Sequence, residues 1–316
     1  MNTIRVSAWA SQLTDMQIDN SNILVLGANG QVGRELAKRA DNFNINVKAL
    51  SRLELDITKS EDVASVLQRI GPKILINAAA YTAVDDAESQ SEIAFNVNRD
   101  AVETLAKNCA KFSIPLIHLS TDYVFDGKKS GAYLEDDPVC PMGVYGRSKE
   151  AGEAHLRDII DEHIIIRTSW VYSAHGNNFL RTMLRLATER DELNIVEDQK
   201  GVPTFAGDIA DALLSIVQRL TLGKHEKVWG TFHYTAKNPT TWRGFADEIF
   251  NQIRNYDMAV PVVNGIPSSQ YPTPASRPLN SVLNCDKIER VFDVPRRSWR
   301  EGMLEVIDQL LKDEQQ

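Results

Sequence analysis

A tyrosine and a lysine stand four residues apart in VYGRSKEAGE, residues 144–153. On a helix such residues are surface neighbours with Cβ atoms roughly 5–6 Å apart, so Tyr145 and Lys149 would share one face. A phenol beside an ammonium group can serve proton transfer, because a nearby positive charge lowers the phenol's pKa from its usual value of about 10. Ordinary helix starts also show this spacing. The pair therefore predicts catalysis only if the chain supplies a cofactor and a substrate.

Three glycines follow the first strand-like run of the chain. In NILVLGANGQVGRELAKRA they lie between an apolar strand and a helical pattern. Glycines let the backbone approach a pyrophosphate, and the helix N-terminus offers it free N–H groups. The spacing differs by one residue from G-x-G-x-x-G, and a merely structural turn is the alternative. The predicted cofactor contacts in this loop are Gly27, Asn29, Gly30, Gln31, Val32 and Gly33.

The end of the second predicted strand bears on the choice between NAD and NADP. An acidic residue there binds the ribose hydroxyls of NAD, whereas an arginine accommodates the extra phosphate of NADP. The strand runs into LSRLELD, which places Ser51 and Arg52 at this position. We therefore predict NADPH, with NADH as the alternative cofactor and a solvated surface charge as the alternative role of Arg52. Further predicted contacts are Asp56 and Ile57 near the adenine, and Ala78, Ala79 and Ala80 at the third strand end.

Apolar runs alternate with amphipathic helical segments over the first 170 residues. The strand-like runs are 22–26, 46–50, 73–79, 115–120 and 163–170, and the helical segments between them include 61–70, 91–112 and 148–160. Continuous apolar strands alternating with helices indicate a parallel sheet covered on both faces. The pattern predicts an α/β fold with a Rossmann-type, doubly wound parallel sheet.

The alternation weakens after Trp170, where 177–190 and 208–220 have helical patterns and 255–300 is rich in Pro, Ser and Asn. We predict that 22–172, joined by roughly 203–232, forms the cofactor-binding domain. A smaller, discontinuous substrate-binding lobe would comprise 173–202 and 233–316. Residues 1–21 are interpreted as a disordered extension, with organelle targeting as the alternative.

Composition narrows the class of protein. The net charge is −8, from 35 basic and 43 acidic residues, which argues against a nucleic-acid-binding surface. The three cysteines, Cys109, Cys140 and Cys285, show no metal-binding or disulfide spacing, as in reduced intracellular proteins. No apolar run approaches the roughly 18 residues of a membrane span, and no signal peptide is evident. We expect a cytoplasmic protein without membrane or nucleic-acid partners.

Several blocks carry a family resemblance. The glycine loop, NAAAYTAVDDAE, LSTDYVFDG and YGRSK together resemble the extended short-chain dehydrogenase/reductase family. Within it, RTSWVYSAHGNNFLRTMLRLA, DQKGVPT and YPTPASRPLNS resemble the branch that reduces a nucleotide-linked keto-sugar with NADPH. The similarity runs from about residue 22 to 305. It implies reduction of the 4-keto group of dTDP-4-dehydro-L-rhamnose to dTDP-L-rhamnose.

The resemblance also implies roles for individual residues. Tyr145 would protonate the sugar carbonyl oxygen, while Lys149 would lower the pKa of Tyr145 and bind the nicotinamide ribose. Thr121 would hydrogen-bond the same carbonyl oxygen, with a local backbone contact as its alternative role. Asp122 and Trp170 match substrate-binding positions, and Trp170 could otherwise be a core residue.

Further positions distinguish this chain from its relatives. Related 4,6-dehydratases carry glutamate where this chain has Tyr123, so dehydration is not expected. Many members of the family have asparagine at the position of Gly143. Some bind Mg²⁺ through glutamates at a dimer interface, and Glu35 matches one of them, which makes Mg²⁺ and a homodimer candidates.

The chain could have other functions. The alternatives are a reductase or epimerase of another nucleotide sugar, a non-catalytic regulatory subunit resembling that of methionine adenosyltransferase, and a redox-sensing transcription regulator. The intact Tyr145, Lys149 and Thr121 favour an enzyme.

Overall fold

The computed structural model describes residues 23–222 and 228–313 of the 316-residue chain. The extension expected at residues 1–21 lies outside the described residues. The strands are β1 (Ile23–Leu26), β2 (Val47–Leu50), β3 (Ile74–Asn77), β4 (Leu116–Thr121), β5 (His163–Thr168), β6 (Val171–Tyr172), β7 (Glu192–Val196), β8 (Lys200–Gly201), β9 (Thr204–Phe205), β10 (Gly230–His233), β11 (Thr240–Thr241) and β12 (Val262–Ile266). The helices are α1 (Gln31–Arg39), α2 (Ser60–Ile70), α3 (Val84–Ser89), α4 (Ser91–Phe95), α5 (Ala101–Phe112), α6 (Val144–Ile159), α7 (Phe179–Glu189), α8 (Ala206–Thr221), α9 (Trp242–Ile253), α10 (Asp286–Phe292) and α11 (Trp299–Asp313).

Six strands form one parallel sheet in the order β10-β5-β4-β3-β1-β2. Strands β1 to β5 coincide with the five runs predicted from the sequence, and helices cover both faces of the sheet. The predicted Rossmann-type, doubly wound α/β fold is therefore confirmed. The strand order changes direction between β1 and β3, and ligands of such sheets bind in the crevice at this point.

Apolar side chains cover both faces of the sheet. Successive residues of one strand point to opposite sides, so a strand that is apolar throughout contributes to both faces. Ile23 and Val25 of β1 belong to a buried cluster that includes residues of α1 and α8. Leu24 and Leu26 belong to a second cluster that includes residues of α2, α5 and α6. Each buried aliphatic side chain stabilises the fold by about 1.5–3 kcal/mol, so the two layers of helices hold the strand ends in fixed positions.

A third apolar cluster joins α7, α9 and α11 with the parallel pair β7 and β12. Trp299 is fully buried in it and donates its indole N–H to the carbonyl oxygen of Asn238 at 2.7 Å. The segment around α10 does not pack there. Leu283, Ile288 and Phe292 belong to the cluster on the sheet, whereas the sequence-based boundary assigns 233–316 to the smaller lobe.

The segment 91–112, predicted as one helix, consists of α4 and α5 joined by a π-helical turn at 96–100. This turn buries Asn98, whose amide donates to Ser148 Oγ of α6 at 3.0 Å. The last predicted strand, 163–170, ends two residues early, because Trp170 has a left-handed φ of 48° that no strand accommodates.

The carboxyl ends of the parallel strands meet at one edge of the sheet. Gly27 follows β1, Ser51 follows β2, Ala78 follows β3, Asp122 follows β4 and Ser169 follows β5. This arrangement gathers residues from five separate segments around one crevice. Within the described part of the chain, no helix is both long and apolar enough to cross a membrane.

Candidate active site

The glycine turn after β1 leaves no room for side chains. Gly27 has a φ of 91°, and a Cβ there would lie 2.8 Å from backbone atoms of Ala78 and Ala79. A Cβ on Gly33 would overlap the carbonyl oxygen of Gly27, so α1 begins directly against the turn. Gly30 precedes α1 without a side-chain cap. The first N–H groups of the helix are thus available to an anion such as a pyrophosphate.

A cavity of about 270 Å³ lies beside this turn. It brings together residues predicted from three separate segments to bind the cofactor. They are Gly27, Asn29, Gly30, Arg52, Asp56, Ile57, Ala78, Ala79 and Ala80. The Arg52 side chain is 78% exposed, and its Nε lies 3.5 Å from the Asp56 carboxylate. The guanidinium is therefore at the mouth of the cavity, where it can turn to a ligand.

The structure changes the interpretation of Ser51. Its amide and hydroxyl both donate to Oε2 of Glu54 at 2.7 Å, and Ser51 itself is buried. The strand end therefore carries a carboxylate, although the sequence analysis finds no acidic residue there. The Ser-x-x-Glu spacing is typical of a capping box and is the signal that could have revealed this contact.

A second cavity, of about 610 Å³, adjoins the first one. Asn29, Gly30, Ala78 and Ala80 line both cavities. All predicted catalytic and substrate-binding residues line the second cavity, together with two further residues of the glycine loop. They are Tyr145, Lys149, Thr121, Asp122, Trp170, Gln31 and Val32.

Helix α6 packs closely against neighbouring backbone at two of its glycines. A Cβ on Gly146 would overlap the carbonyl oxygen of Tyr123, and a Cβ on Gly152 would overlap that of Asn98. The helix start is held from another element, because Glu88 of α3 accepts a hydrogen bond from the Val144 N–H at 2.7 Å. This contact places Tyr145, the second residue of α6, against the second cavity.

Glycine at residue 143 leaves room for this contact. A Cβ at residue 143 would lie 2.7 Å from Glu88 Oε1. Gly143 precedes α6 and offers no side-chain cap. Glu88 accepts the first N–H of the helix, which has no acceptor within the helix itself.

Burial controls the protonation of the two candidate catalytic groups. It raises the pKa of Tyr145 to about 12, while a hydrogen bond with Thr121 lowers it. Burial lowers the pKa of Lys149 to about 8, and the charge of Glu153 raises it. Lys149 Nζ donates to the carbonyl oxygen of Leu119 at 2.7 Å. The phenol thus keeps its proton near neutral pH, as a proton donor must.

Thr121 and Asp122 form the end of β4. Thr121 Oγ1 donates to Asp122 Oδ1 at 3.0 Å and accepts the N–H of Tyr123 at 3.2 Å. Asp122 is 2% exposed, and its Oδ2 lacks a close hydrogen-bond partner among the described residues. Burial raises the pKa of this carboxyl to about 6, while hydrogen bonds from Ser281 and Thr121 lower it. A buried carboxylate oxygen without a partner suits the hydroxyl group of a ligand.

Trp170 is held in its strained conformation by its neighbours. Its ring stacks on that of Trp242, with centroids 3.6 Å apart and planes at 9°. A Cβ on Gly201 would overlap the Trp170 ring, so the indole lies directly on the backbone of β8. Strain of this kind occurs where the surrounding structure enforces it, often at ligand sites.

A third cavity of about 680 Å³ begins at Trp242, which also lines the second cavity. Neither this tryptophan nor Arg277, a cation that lines the third cavity, is predicted from the sequence. Arg277 forms two hydrogen bonds with the Asp85 carboxylate, at 2.7 and 3.1 Å. The second cavity thus shares lining residues with both the first and the third.

Gly33, Ser51 and Glu35 lie outside the first and second cavities. Glu35 is 1% exposed and accepts a hydrogen bond from Arg39 Nε at 2.9 Å. Arg39 also pairs with Asp211 and Glu305. No group of three or more His, Cys, Asp or Glu side chains suited to a metal ion occurs among residues 23–222 and 228–313. In the structure, the positive charge next to Glu35 is that of Arg39.

Comparisons with known proteins agree with this architecture. The family model described as RmlD substrate binding domain matches residues 21–312. The dTDP-4-dehydrorhamnose reductase of Aggregatibacter actinomycetemcomitans is 43% identical over 284 residues, which cover 89% of this chain and 96% of that protein.

Two crystal structures extend the similarity to the fold. A dTDP-4-dehydrorhamnose reductase from Clostridium acetobutylicum ATCC 824 matches with a TM-score of 0.84 and 37% identity, covering 92% of this chain and 99% of its own. The dTDP-4-dehydrorhamnose reductase from Bacillus anthracis str. Ames in complex with NADP matches with a TM-score of 0.82 and 32% identity, covering 91% and 98%. The chain belongs to the dTDP-4-dehydrorhamnose reductase family.

Proposed function

We propose that the protein reduces the 4-keto group of dTDP-4-dehydro-L-rhamnose with NADPH and forms dTDP-L-rhamnose. The observation that carries the proposal is the convergence of Tyr145, Lys149 and Thr121 on one cavity that adjoins the glycine turn. The relatives named for this activity match almost the whole chain, and one related structure is a complex with NADP.

The first cavity and the glycine turn fit a dinucleotide. The pyrophosphate would lie at the start of α1, where Gly27 admits the close approach of a ligand to the backbone. The adenine end would lie near Ile57, and the nicotinamide end would reach the second cavity past Ala80. When bound, NADPH supplies a hydride to the keto carbon.

Tyr145 would donate the proton that the reduced oxygen needs. Its raised pKa of about 12 keeps the phenol protonated near neutral pH, and general acids typically contribute about 10²–10⁴-fold to the rate. Thr121 would hold the keto oxygen within reach of the phenol through its hydroxyl. Lys149 would bind the ribose hydroxyls and stabilise the phenolate left after proton transfer.

The preference for NADPH rests on Arg52. Its exposed guanidinium can leave Asp56 and pair with the additional phosphate of NADPH. Glu54 opposes this preference, because its carboxylate at Ser51 would repel the same phosphate. Attraction of the phosphate by Arg52 and its repulsion by Glu54 together predict that NADPH is preferred and that NADH is also accepted.

The sugar nucleotide would extend from the second cavity into the third. The free carboxylate oxygen of Asp122 can accept a hydrogen bond from a sugar hydroxyl, and the ring of Trp170 offers a stacking surface. Arg277 is the cation suited to the diphosphate. Tyr123 lies beside Tyr145, with ring centroids 5.6 Å apart. It lacks the carboxylate that a dehydratase uses.

The proposal includes a division of the chain into a cofactor-binding part, built on the six-stranded sheet with α10, and a substrate-binding part around α7, α9 and α11. The homodimer and the cytoplasmic location stay predictions. Binding of Mg²⁺ also stays a prediction, and Glu35 would have to exchange Arg39 for the ion.

The test is consumption of NADPH with dTDP-4-dehydro-L-rhamnose beside GDP- and UDP-linked keto-sugars, with identification of the product. We expect stoichiometric NADPH oxidation and dTDP-L-rhamnose with the first substrate. If a GDP- or UDP-linked keto-sugar were reduced as fast as dTDP-4-dehydro-L-rhamnose or faster, the proposed substrate would be wrong. Binding of NADPH without turnover of any keto-sugar would refute the enzymatic function.

A further inference from the structure

Two buried polar side chains beside Lys149 have no part in the reaction described so far. Asn77 at the end of β3 is 1% exposed, and His118 in β4 is fully buried. Asn77 Nδ2 lies 3.1 Å from His118 Nδ1, and His118 Nε2 lies 3.2 Å from Lys149 Nζ. The three side chains form a row of polar contacts that leads from the sheet to α6.

The orientation of the Asn77 amide decides which ring nitrogen of His118 carries a proton. The N–H of Ala79 donates to Asn77 Oδ1 at 3.1 Å. The NH₂ group of Asn77 therefore faces His118 Nδ1, which has to accept a hydrogen bond. Burial lowers the pKa of His118 well below its ordinary value, so the ring is neutral. A neutral ring whose Nδ1 accepts carries its proton on Nε2.

This proton points at the amine of Lys149. An ammonium group has three N–H donors and no acceptor, whereas a neutral amine has a lone pair that can accept the hydrogen bond. Lys149 Nζ already donates to the carbonyl oxygen of Leu119 at 2.7 Å. Two N–H groups that face each other across 3.2 Å disfavour the charged lysine. The amine gains the contact with His118 only when it has lost a proton.

The charges around Lys149 do not reverse its preference for the neutral amine form. Among the described residues, the other charged group that acts on it is Glu153, one turn farther along α6. The Glu153 carboxylate accepts hydrogen bonds from Ser120, Arg157 and Arg167. Two guanidinium groups thus offset its charge, and burial still lowers the pKa of Lys149 to about 8.

We propose that His118, held by Asn77 with its proton on Nε2, destabilises the ammonium form of Lys149 until the amine turns from His118 to the ribose hydroxyls of the cofactor. The inference rests on the proposed function for the position of the cofactor. Above about pH 8, where the amine is neutral before binding, it takes up a proton from solvent after turning, and its charge then acts on Tyr145. His118 and Asn77 are positioning residues that couple the charge of Lys149 to cofactor binding.

The first test is NMR on the protein without NADPH. Correlations between ring protons and nitrogens identify the tautomer of His118, and the titration of the Lys149 side chain is assigned by comparison with Lys149→Arg. We expect the proton on Nε2 and a Lys149 midpoint of about 8.

Two variants should each give Lys149 a hydrogen-bond acceptor in place of the N–H of His118. In His118→Gln, the amide oxygen can turn to the amine and accept from the ammonium. In Asn77→Asp, the carboxylate accepts from Nδ1 of His118 and leaves Nε2 as an acceptor. Both variants should raise the Lys149 midpoint by about one pH unit or more. The matched control is His233→Gln, which alters another fully buried histidine and should leave the midpoint unchanged.

Two results would overturn the proposal: a His118 proton on Nδ1 in the unmodified protein, or an unchanged Lys149 midpoint in the two variants. If His118→Gln fails to fold, the tautomer of the unmodified protein decides the question, because the added carboxylate of Asn77→Asp would raise the Lys149 midpoint by its charge alone.

The second test is the pH dependence of NADPH affinity. Above about pH 8 the unmodified protein must take up a proton on binding, so its affinity should fall by about tenfold per pH unit. In His118→Gln the fall should begin at a higher pH, and the same onset in both proteins would contradict the coupling. A protein that binds no NADPH at any pH would refute the proposed function instead, while the Lys149 titration without cofactor would still test the contact with His118.

Discussion

Replacing Glu88 by alanine should displace the start of α6, which carries the proposed proton donor Tyr145. The carboxylate of Glu88 accepts the N–H of Val144 at 2.7 Å from a residue 56 positions earlier in the chain, and it is the acceptor that holds the first turn of α6. Loss of a helix N-cap typically costs about 0.5–2 kcal/mol, and a negative charge near a helix N-terminus adds typically about 0.3–1 kcal/mol. We therefore expect Glu88→Ala to lower the free energy of unfolding by about 1–2 kcal/mol.

The effect on activity follows from the position of Tyr145, one residue beyond Val144. A first turn that is less well ordered displaces the phenol from the keto group, and a misplacement of about 1 Å can cost about 10²-fold in rate. Urea unfolding gives the stability, and steady-state NADPH oxidation gives kcat. Glu88→Gln keeps an acceptor oxygen and should lose less of both. The control is Glu92→Ala, which alters an exposed glutamate on α4, and equal values for Glu88→Ala and Glu92→Ala would refute the reasoning.

Three other predictions concern cofactor, pH and reaction type. Arg52→Ala should weaken NADPH binding by about tenfold or more and NADH binding far less, because only NADPH carries the phosphate that Arg52 would bind. Glu54→Gln should shift the preference toward NADPH. Equal changes in the binding of both cofactors would contradict these roles. The raised pKa of Asp122, about 6, predicts that KM for the sugar nucleotide rises as the pH falls below about 6, because a protonated carboxyl is a weaker hydrogen-bond acceptor than a carboxylate. Asp122→Asn should abolish this pH dependence, and a KM profile identical to that of the unmodified protein would argue against it. With dTDP-glucose and catalytic NAD, product analysis should find no keto-sugar, because Tyr123 replaces the carboxylate of a dehydratase, and accumulation of a keto-sugar would contradict this.

The parts of the fold that were predictable are those whose pattern is local. Strands buried on both faces appear in the sequence as continuous apolar runs, so β1 to β5 could be located without a structure. The glycine turn is also local, because Gly33 is required by its contact with the Gly27 carbonyl oxygen and Gly27 has a left-handed φ of 91°. Thr121 is predicted from the family resemblance, and its place at the end of β4 brings it to the edge of the sheet where the other strands end.

The parts that were not predictable depend on contacts between distant segments. Glu88 caps a helix from another element, and Trp242 reaches the cavity from α9, far from Trp170 in sequence. The pKa of Lys149 depends on its burial and on Glu153, whereas a spacing of four residues indicates only that Tyr145 and Lys149 share a face.

Helix α9 is a different case. No helix is predicted from sequence at 242–253, although Phe245, Ile249 and Ile253 have the helical spacing of a buried face. The many Pro, Ser and Asn residues from residue 255 onward obscure that signal in the surrounding sequence.

The most direct test of the central claim is the comparison of the unmodified protein with Tyr145→Phe in NADPH oxidation with dTDP-4-dehydro-L-rhamnose. The substitution removes only the hydroxyl that would donate the proton. We expect kcat to fall by about 10²–10⁴-fold while the Kd for NADPH stays close to that of the unmodified protein. Turnover by Tyr145→Phe near the rate of the unmodified protein would contradict the assignment of Tyr145 as the proton donor.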